Sequence, residues 1–175
     1  MGRGLAAGAV EVVRSYCDAW LNGDTLAVLG LYHDDLTLQW SGRHRFAGTH
    51  DGQQASIAAL LGLQAVTNRV PVRIVDVLEG AESVAVVVEE RWTRDGEESA
   101  PEVLEHRRVL DYTVENGKLR TCRIYESAQR EVDDWIDATD ATAGPPTVDH
   151  DVSMGAPAVD LFRFRDGLIA SKTPG

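Results

Sequence analysis

At residue 68 the hydrophobic pattern changes from helical spacing to strict alternation, and no other feature constrains the fold as tightly. Alternation places successive side chains on opposite faces of a strand. Four segments carry it: VPVRIVDVLEG (70–80), SVAVVVEERWTR (83–94), EVLEHRRVLDYTVENG (102–117) and KLRTCRIYES (118–127). Their connections, Glu79-Gly80-Ala81, Asp95-Gly96-Glu97 and Asn116-Gly117, have hairpin chemistry, because Gly and Asn tolerate the positive φ that tight hairpins need. The four strands are therefore predicted to form an antiparallel meander.

Upstream the spacing is helical. Val12, Val13, Tyr16, Ala19 and Trp20 share one face over residues 9–22, and Asn22-Gly23 ends that helix. Asp24 can cap a second helix, TLAVLGLYH. DLTLQW alternates, with Leu36, Leu38 and Trp40 on one face, and SGRHRFAG reads as a turn and a second short strand. Thr49 to Asp51 are predicted to start a third helix, with Ile57, Leu60, Leu61 and Gln64 at helical spacing. Residues 128–136 are predicted to form a short helix with Val132, Trp135 and Ile136 facing inward. Helices first and strands after give an α+β plan, with helices packed on one face of a curved antiparallel sheet.

Residues 1–136 thus read as one domain and 137–175 as a linker and C-terminal tail. The stretch 137–157 is polar and holds Pro and Gly. AVDLFRFRDGLIAS then returns to strand alternation and echoes the last hairpin: aligned on Gly117 and Gly167, Val109 falls on Val159, Tyr112 on Phe162 and Leu119 on Ile169.

The chain has 175 residues and a net charge of −11, with its basic residues scattered. That charge excludes a nucleic-acid partner, which needs clustered Lys and Arg. No apolar run reaches membrane-spanning length and no signal-peptide core stands at the N-terminus, so the protein is expected to be cytoplasmic. Cys17 and Cys122 read as buried reduced thiols. His33, His44, His50, His106 and His150 lack metal-ligand spacing, so no metal is expected. No phosphate-binding glycine loop or nucleophile elbow is present.

One residue breaks the strand pattern. Asp111 lies inside VLDYTVENGK, yet strands avoid Asp, and a carboxylate facing a core is costly unless paired or neutralised. Two readings are open. Asp111 is a structural carboxylate paired with Arg107, Arg123 or a backbone N–H, or it is an acid facing a pocket.

The order of elements, with YCDAWLNGD, LYHDDLTL, GTHDG and VENGKLRTCRIYE, resembles the nuclear transport factor 2-like superfamily over residues 9–136. Within it the chain is most similar to the SnoaL-like polyketide cyclases and ketosteroid isomerase. The resemblance implies a cone-shaped α+β roll with a deep apolar pocket, a small hydrophobic ligand, no cofactor and a homodimer. Trp20, Trp40, Phe46 and Trp92 are the candidate pocket walls. Tyr16 matches the isomerase's oxyanion-hole tyrosine and Asp111 its oxyanion-hole aspartic acid, a pair in which a neutral carboxyl and a phenol both donate to a developing enolate. The isomerase's general base falls on Trp40, which cannot transfer a proton. The epoxide hydrolase branch needs carboxylates where Thr93 and Ile124 stand. The cyclases use a carboxylate with a nearby histidine, which points to His106 and Asp111. Five residues apart, these two fall on opposite faces of a regular strand. The expected function is acid–base chemistry of isomerase, cyclase or dehydratase type on a small carbonyl compound such as a polyketide or steroid-like ring. The alternative is a non-catalytic ligand-binding or subunit-association module.

Overall fold

Helix gives way to sheet where the alternation starts. In the computed structural model, which describes residues 6–94 and 101–138, helix α3 (Gln53–Thr67) stops at Asn68, whose left-handed φ of 43° turns the chain into strand β3 (Val70–Glu79). Strands β4 (Val84–Arg94), β5 (Glu102–Glu115) and β6 (Lys118–Glu126) follow. Each pairs antiparallel with its predecessor. Asn116 and Gly117 both take positive φ at the last hairpin, as a tight right-twisted turn requires. The turn at residues 95–97 and the tail from 139 onward lie outside the described residues.

Ahead of α3 come α1 (Ala9–Leu21), α2 (Thr25–Gly30), β1 (Tyr32–Trp40) and β2 (Gly48–Asp51). Asp24 caps α2 by accepting from the Ala27 N–H at 3.0 Å. The six strands form one sheet in the order β2-β1-β6-β5-β4-β3. Beyond β6, α4 (Gln129–Ala138) closes the described chain.

Three local expectations are corrected. Residues 49–51 belong to β2, not to the start of α3: they pair with residues 37–39 of β1, and Gly52, with φ 89°, makes the turn into the helix. Tyr32 and His33 lie in β1, not in α2, because Tyr32 pairs with Leu119. The sheet is mixed, not wholly antiparallel, since β1 runs parallel to β6. A long crossover separates that pair, so no turn signal announces it.

The sheet's inner face packs on α1 and α3. Val84, Val86 and Val88 of β4, Leu110 and Tyr112 of β5, and Leu119, Cys122 and Ile124 of β6 point into one core with Val13, Trp20 and Leu63. The same alternation continues along β4 and β5 through residues that are not apolar: Glu90, His106 and Arg108 are buried on that face.

Candidate functional site

The two ends of the inner face differ in chemistry. At one end three phenols gather. Tyr16 Oη lies 3.1 Å from Tyr32 Oη, and the Tyr16 ring meets Tyr112 edge-on at 5.4 Å. Burial pushes the Tyr16 hydroxyl up to about 12 and holds Tyr32 and Tyr112 above the ordinary tyrosine range. These groups are neutral donors and acceptors at physiological pH.

At the other end a belt of charge is sealed inside. Arg108 is fully buried, with its guanidinium over the Trp40 ring at 5.1 Å and the Trp92 ring at 5.3 Å. Glu126 accepts from Arg108 Nε and Nη2, and Glu90 Oε2 lies 3.2 Å from Arg108 Nη1. The tryptophans also donate into the belt: Trp40 Nε1 to Glu126 Oε1 at 2.9 Å, and Trp92 Nε1 to Glu90 Oε2 at 2.8 Å. Arg69, from the turn between α3 and β3, reaches Glu90 Oε1 at 3.5 Å. Burial alone would raise the Glu126 carboxyl, but the Arg108 charge, the Arg108 hydrogen bonds and the nearby His106 outweigh it and hold it at about 2. Burial likewise opposes the Arg108 charge, and Glu126 and Glu90 overcome it and raise its pKa.

His106 belongs to this belt. Its Nε2 lies 3.3 Å from Glu126 Oε2, and its ring meets Trp92 edge-on at 4.5 Å. The approach to Glu126 is an electrostatic contact: neither Nε2 nor Nδ1 makes a hydrogen bond among the described residues. A carboxylate beside Nε2 favours the proton there and the lone pair on Nδ1, which is the tautomer of a base.

Asp111 is elsewhere. The β4–β5 ladder runs without a bulge, so Asp111 faces away from His106, Leu110 and Tyr112. There Arg123 Nη1 donates to Asp111 Oδ2 at 3.0 Å, from the residue directly opposite on β6. Tyr16 and Asp111 thus lie on opposite faces of the sheet, and the structure does not bring them together. Of the four candidate wall residues, Trp40 and Trp92 enclose Arg108 rather than an apolar volume. Trp20 lies 6.2 Å from the Tyr16 ring, with the Arg69 guanidinium 5.7 Å from it. Phe46 stacks near Trp40 at 6.4 Å and seats against Gly62, where a Cβ would come within 2.5 Å of its ring.

Glu90, Arg108, Glu126 and Arg69 were not anticipated. For Glu90 and Arg108 the signal was phase: Glu90 continues the Val84-Val86-Val88 face, and Arg108, with His106, continues the Leu110-Tyr112 face.

Helix α4 crosses the belt's end of the sheet. On the β1 side, the backbone N–H of Arg43 donates to Asp133 Oδ1 at 3.1 Å, and Ser41 Oγ donates to Gln129 Oε1 at 2.7 Å. On the β4 side, Arg94 Nη1 donates to the Trp135 carbonyl at 3.1 Å, and its guanidinium covers the Trp135 ring at 4.3 Å. From β1 to β4 is three strand spacings, ~14 Å, and a helix of α4's length is ~15 Å long. The strap fits the span.

Grooves of about 410 Å³, lined by Val72, Glu89, Glu90, Arg91, Glu105, His106 and Arg107, and about 340 Å³, between α1 and β3, are also present. Among the described residues no three ligating side chains converge as a metal site requires, and no helix is long and apolar enough to cross a membrane.

With this geometry in hand the relatives can be placed. The sequence model of the SnoaL-like domain matches residues 13–172. The chain belongs to the SnoaL-like domain family. No curated protein matches it. Among solved structures, a cystatin-like-fold protein from Xanthomonas campestris is similar with a TM-score of 0.66 at 23% identity, over 73% of this chain and 97% of its own. TerC, crystallised with polyporic acid, is similar with a TM-score of 0.60 at 14% identity, over 74% and 98%. A protein described as a SnoaL-like polyketide cyclase from Jannaschia sp. CCS1 is similar with a TM-score of 0.57 at 19% identity, over 80% and 99%. At these identities the likeness establishes the nuclear transport factor 2-like, cystatin-like fold of this SnoaL-like protein.

Proposed function

We propose that this SnoaL-like protein is a cofactor-independent acid–base enzyme acting on a small hydrophobic carbonyl compound, with His106 as the proton-transferring base. The observation that carries the reading is a buried histidine inside a belt walled by indoles, with Nε2 3.3 Å from Glu126 and neither ring nitrogen in a hydrogen bond among the described residues. Glu126 orients the imidazole and stabilises its protonated form. Nδ1 takes a proton from the carbon next to the carbonyl, and the electron pair of the broken C–H bond moves onto oxygen as an enolate. Returning the proton to another atom gives isomerisation, and attack of the enolate carbon on a second carbonyl gives ring closure. The buried belt holds two carboxylates, Glu90 and Glu126, against two guanidiniums, Arg69 and Arg108. Protonated His106 therefore supplies the one excess positive charge that balances the enolate. A solved relative of this fold, TerC, was crystallised with a small organic ligand, and others bear the name polyketide cyclase. Both support the ligand class.

The test uses carbonyl compounds of graded size: 1-indanone, 1-tetralone and androst-5-ene-3,17-dione. In D2O the wild-type protein is expected to accelerate exchange of their α-protons, followed by NMR. Rates equal to buffer across all three would sink the enzyme reading.

A second reading has its own support. Trp40 and Trp92 pack on Arg108 instead of lining open space, and His106 and Glu126 are almost fully covered. That favours a module that binds a ligand or a subunit without turnover. Ring-ketone binding with no proton exchange would select it. We expect a homodimer under either reading, to be checked by sedimentation at low micromolar concentration.

A further inference from the structure

We propose that His44 is a fixed hydrogen-bond donor to the ligand's carbonyl oxygen, making ring ketones the class this belt selects over their hydrocarbon analogues. His44 is buried in the loop that follows β1, with its ring edge-on to Trp40 at 4.8 Å. The backbone N–H of Phe46 donates to His44 Nδ1 at 3.2 Å. A neutral imidazole that accepts at Nδ1 carries its proton on Nε2. Nε2 is buried and has no hydrogen-bond partner among the described residues. Buried polar groups in folded proteins are satisfied nearly without exception, so an orphan N–H held this firmly marks a place for an acceptor.

The loop is held in place by its surroundings. Arg43 N–H and Gln129 Nε2 both donate to Asp133 Oδ1, and Ser41 Oγ reaches Ile124 O and Gln129 Oε1. Gly42 adopts φ 113° against α4, where any Cβ would come within 2.3 Å of Gln129 Nε2. His44 therefore does not reorient to find another partner. Burial lowers its pKa, Arg108 adds to that effect, and Asp133, Glu126 and Asp137 oppose it. The ring stays neutral, which suits a donor and rules out the role of general base that needs a free lone pair. A site whose buried donor needs an acceptor discriminates strongly against a ligand without one.

This inference rests on the belt being the ligand site, but not on turnover there. Its test has two parts. Long-range 15N–1H NMR of the histidine side chains at neutral pH is expected to place the His44 proton on Nε2; a proton on Nδ1 overturns the proposal without any variant. Tryptophan fluorescence then follows titration with 1-indanone and with indane. Wild-type protein is expected to bind the ketone about 10-fold or more tightly than the hydrocarbon. His44→Ala should abolish that preference, His44→Gln should restore part of it, and the outer-face variant Arg91→Gln should leave it unchanged. Equal affinity for both probes, no binding of either, or a preference that survives His44→Ala overturns it. A ketone preference without proton exchange would instead remove His106 as the base and leave His44 in place.

Discussion

Glu126 and His106 lie on the two strands of one hairpin, and their side chains meet at 3.3 Å on the inner face of the sheet. The same carboxylate binds Arg108 and Trp40, so it has no freedom to turn away from the histidine. Replacing it by an amide of the same shape removes the charge that stabilises protonated His106. Glu126→Gln is expected to slow α-proton exchange by roughly 10²-fold or more, while far-UV circular dichroism still reports the native fold. An unchanged rate would remove Glu126 from the chemistry.

The belt also sets how the protein responds to acid. The folded pKa of Glu126, about 2, is below the unfolded value of about 4.3. Its contribution is complete above that unfolded value and is lost as pH falls toward the folded one, in all roughly 3 kcal/mol. His44 is also lowered. Its contribution is complete above about 6.5 and declines below that pH. Urea midpoints measured from pH 7 to pH 3 should therefore fall in two stages. A flat profile over that range would contradict both assignments.

Arg108 bridges two fully buried carboxylates, and Arg69 also reaches one of them, Glu90. Arg108→Leu leaves Glu126 without its guanidinium, and breaking a buried ion pair in this way costs about 3–5 kcal/mol. Neutralising that carboxylate as well, with Glu126→Gln, should recover much of the loss, because Arg69 still balances Glu90. Equilibrium urea unfolding measures both. If the double variant is no more stable than Arg108→Leu alone, uncompensated charge is not the cause.

Arg94 ties the β4 end of the sheet to α4 through the Trp135 carbonyl and ring. Arg94→Ala removes both contacts and should release the strap on one side. Amide hydrogen exchange in residues 129–138 is expected to speed up by about 10-fold or more, with β5 and β6 amides unchanged. Equal protection in the variant would mean that the strap is held elsewhere.

The four long strands, the four helices and the order of elements were legible because each is written in local periodicity and turn chemistry. The parallel pairing of β1 with β6 was not, because it is a contact between distant segments. Asp111 drew attention because it is locally unusual, yet it faces outward, where Arg123 satisfies it. The groups that form the belt were less conspicuous. Glu90 sits in EER and Arg108 in HRR, runs that look like a solvated charged face until their phase is compared with Val88 and Leu110. Glu126, at the end of its strand, gains its role only from the histidine and arginine of the neighbouring strand. His106 was visible as a candidate, but its partner was not, since the carboxylate considered with it was Asp111, which lies on the other face.

The most direct test compares His106→Gln with Asp111→Asn in the α-proton exchange of 1-indanone, 1-tetralone and androst-5-ene-3,17-dione. The account predicts that His106→Gln falls to the buffer rate, while Asp111→Asn, on the outer face and paired with Arg123, exchanges within about twofold of wild type. Loss of exchange in Asp111→Asn with retention in His106→Gln would contradict it.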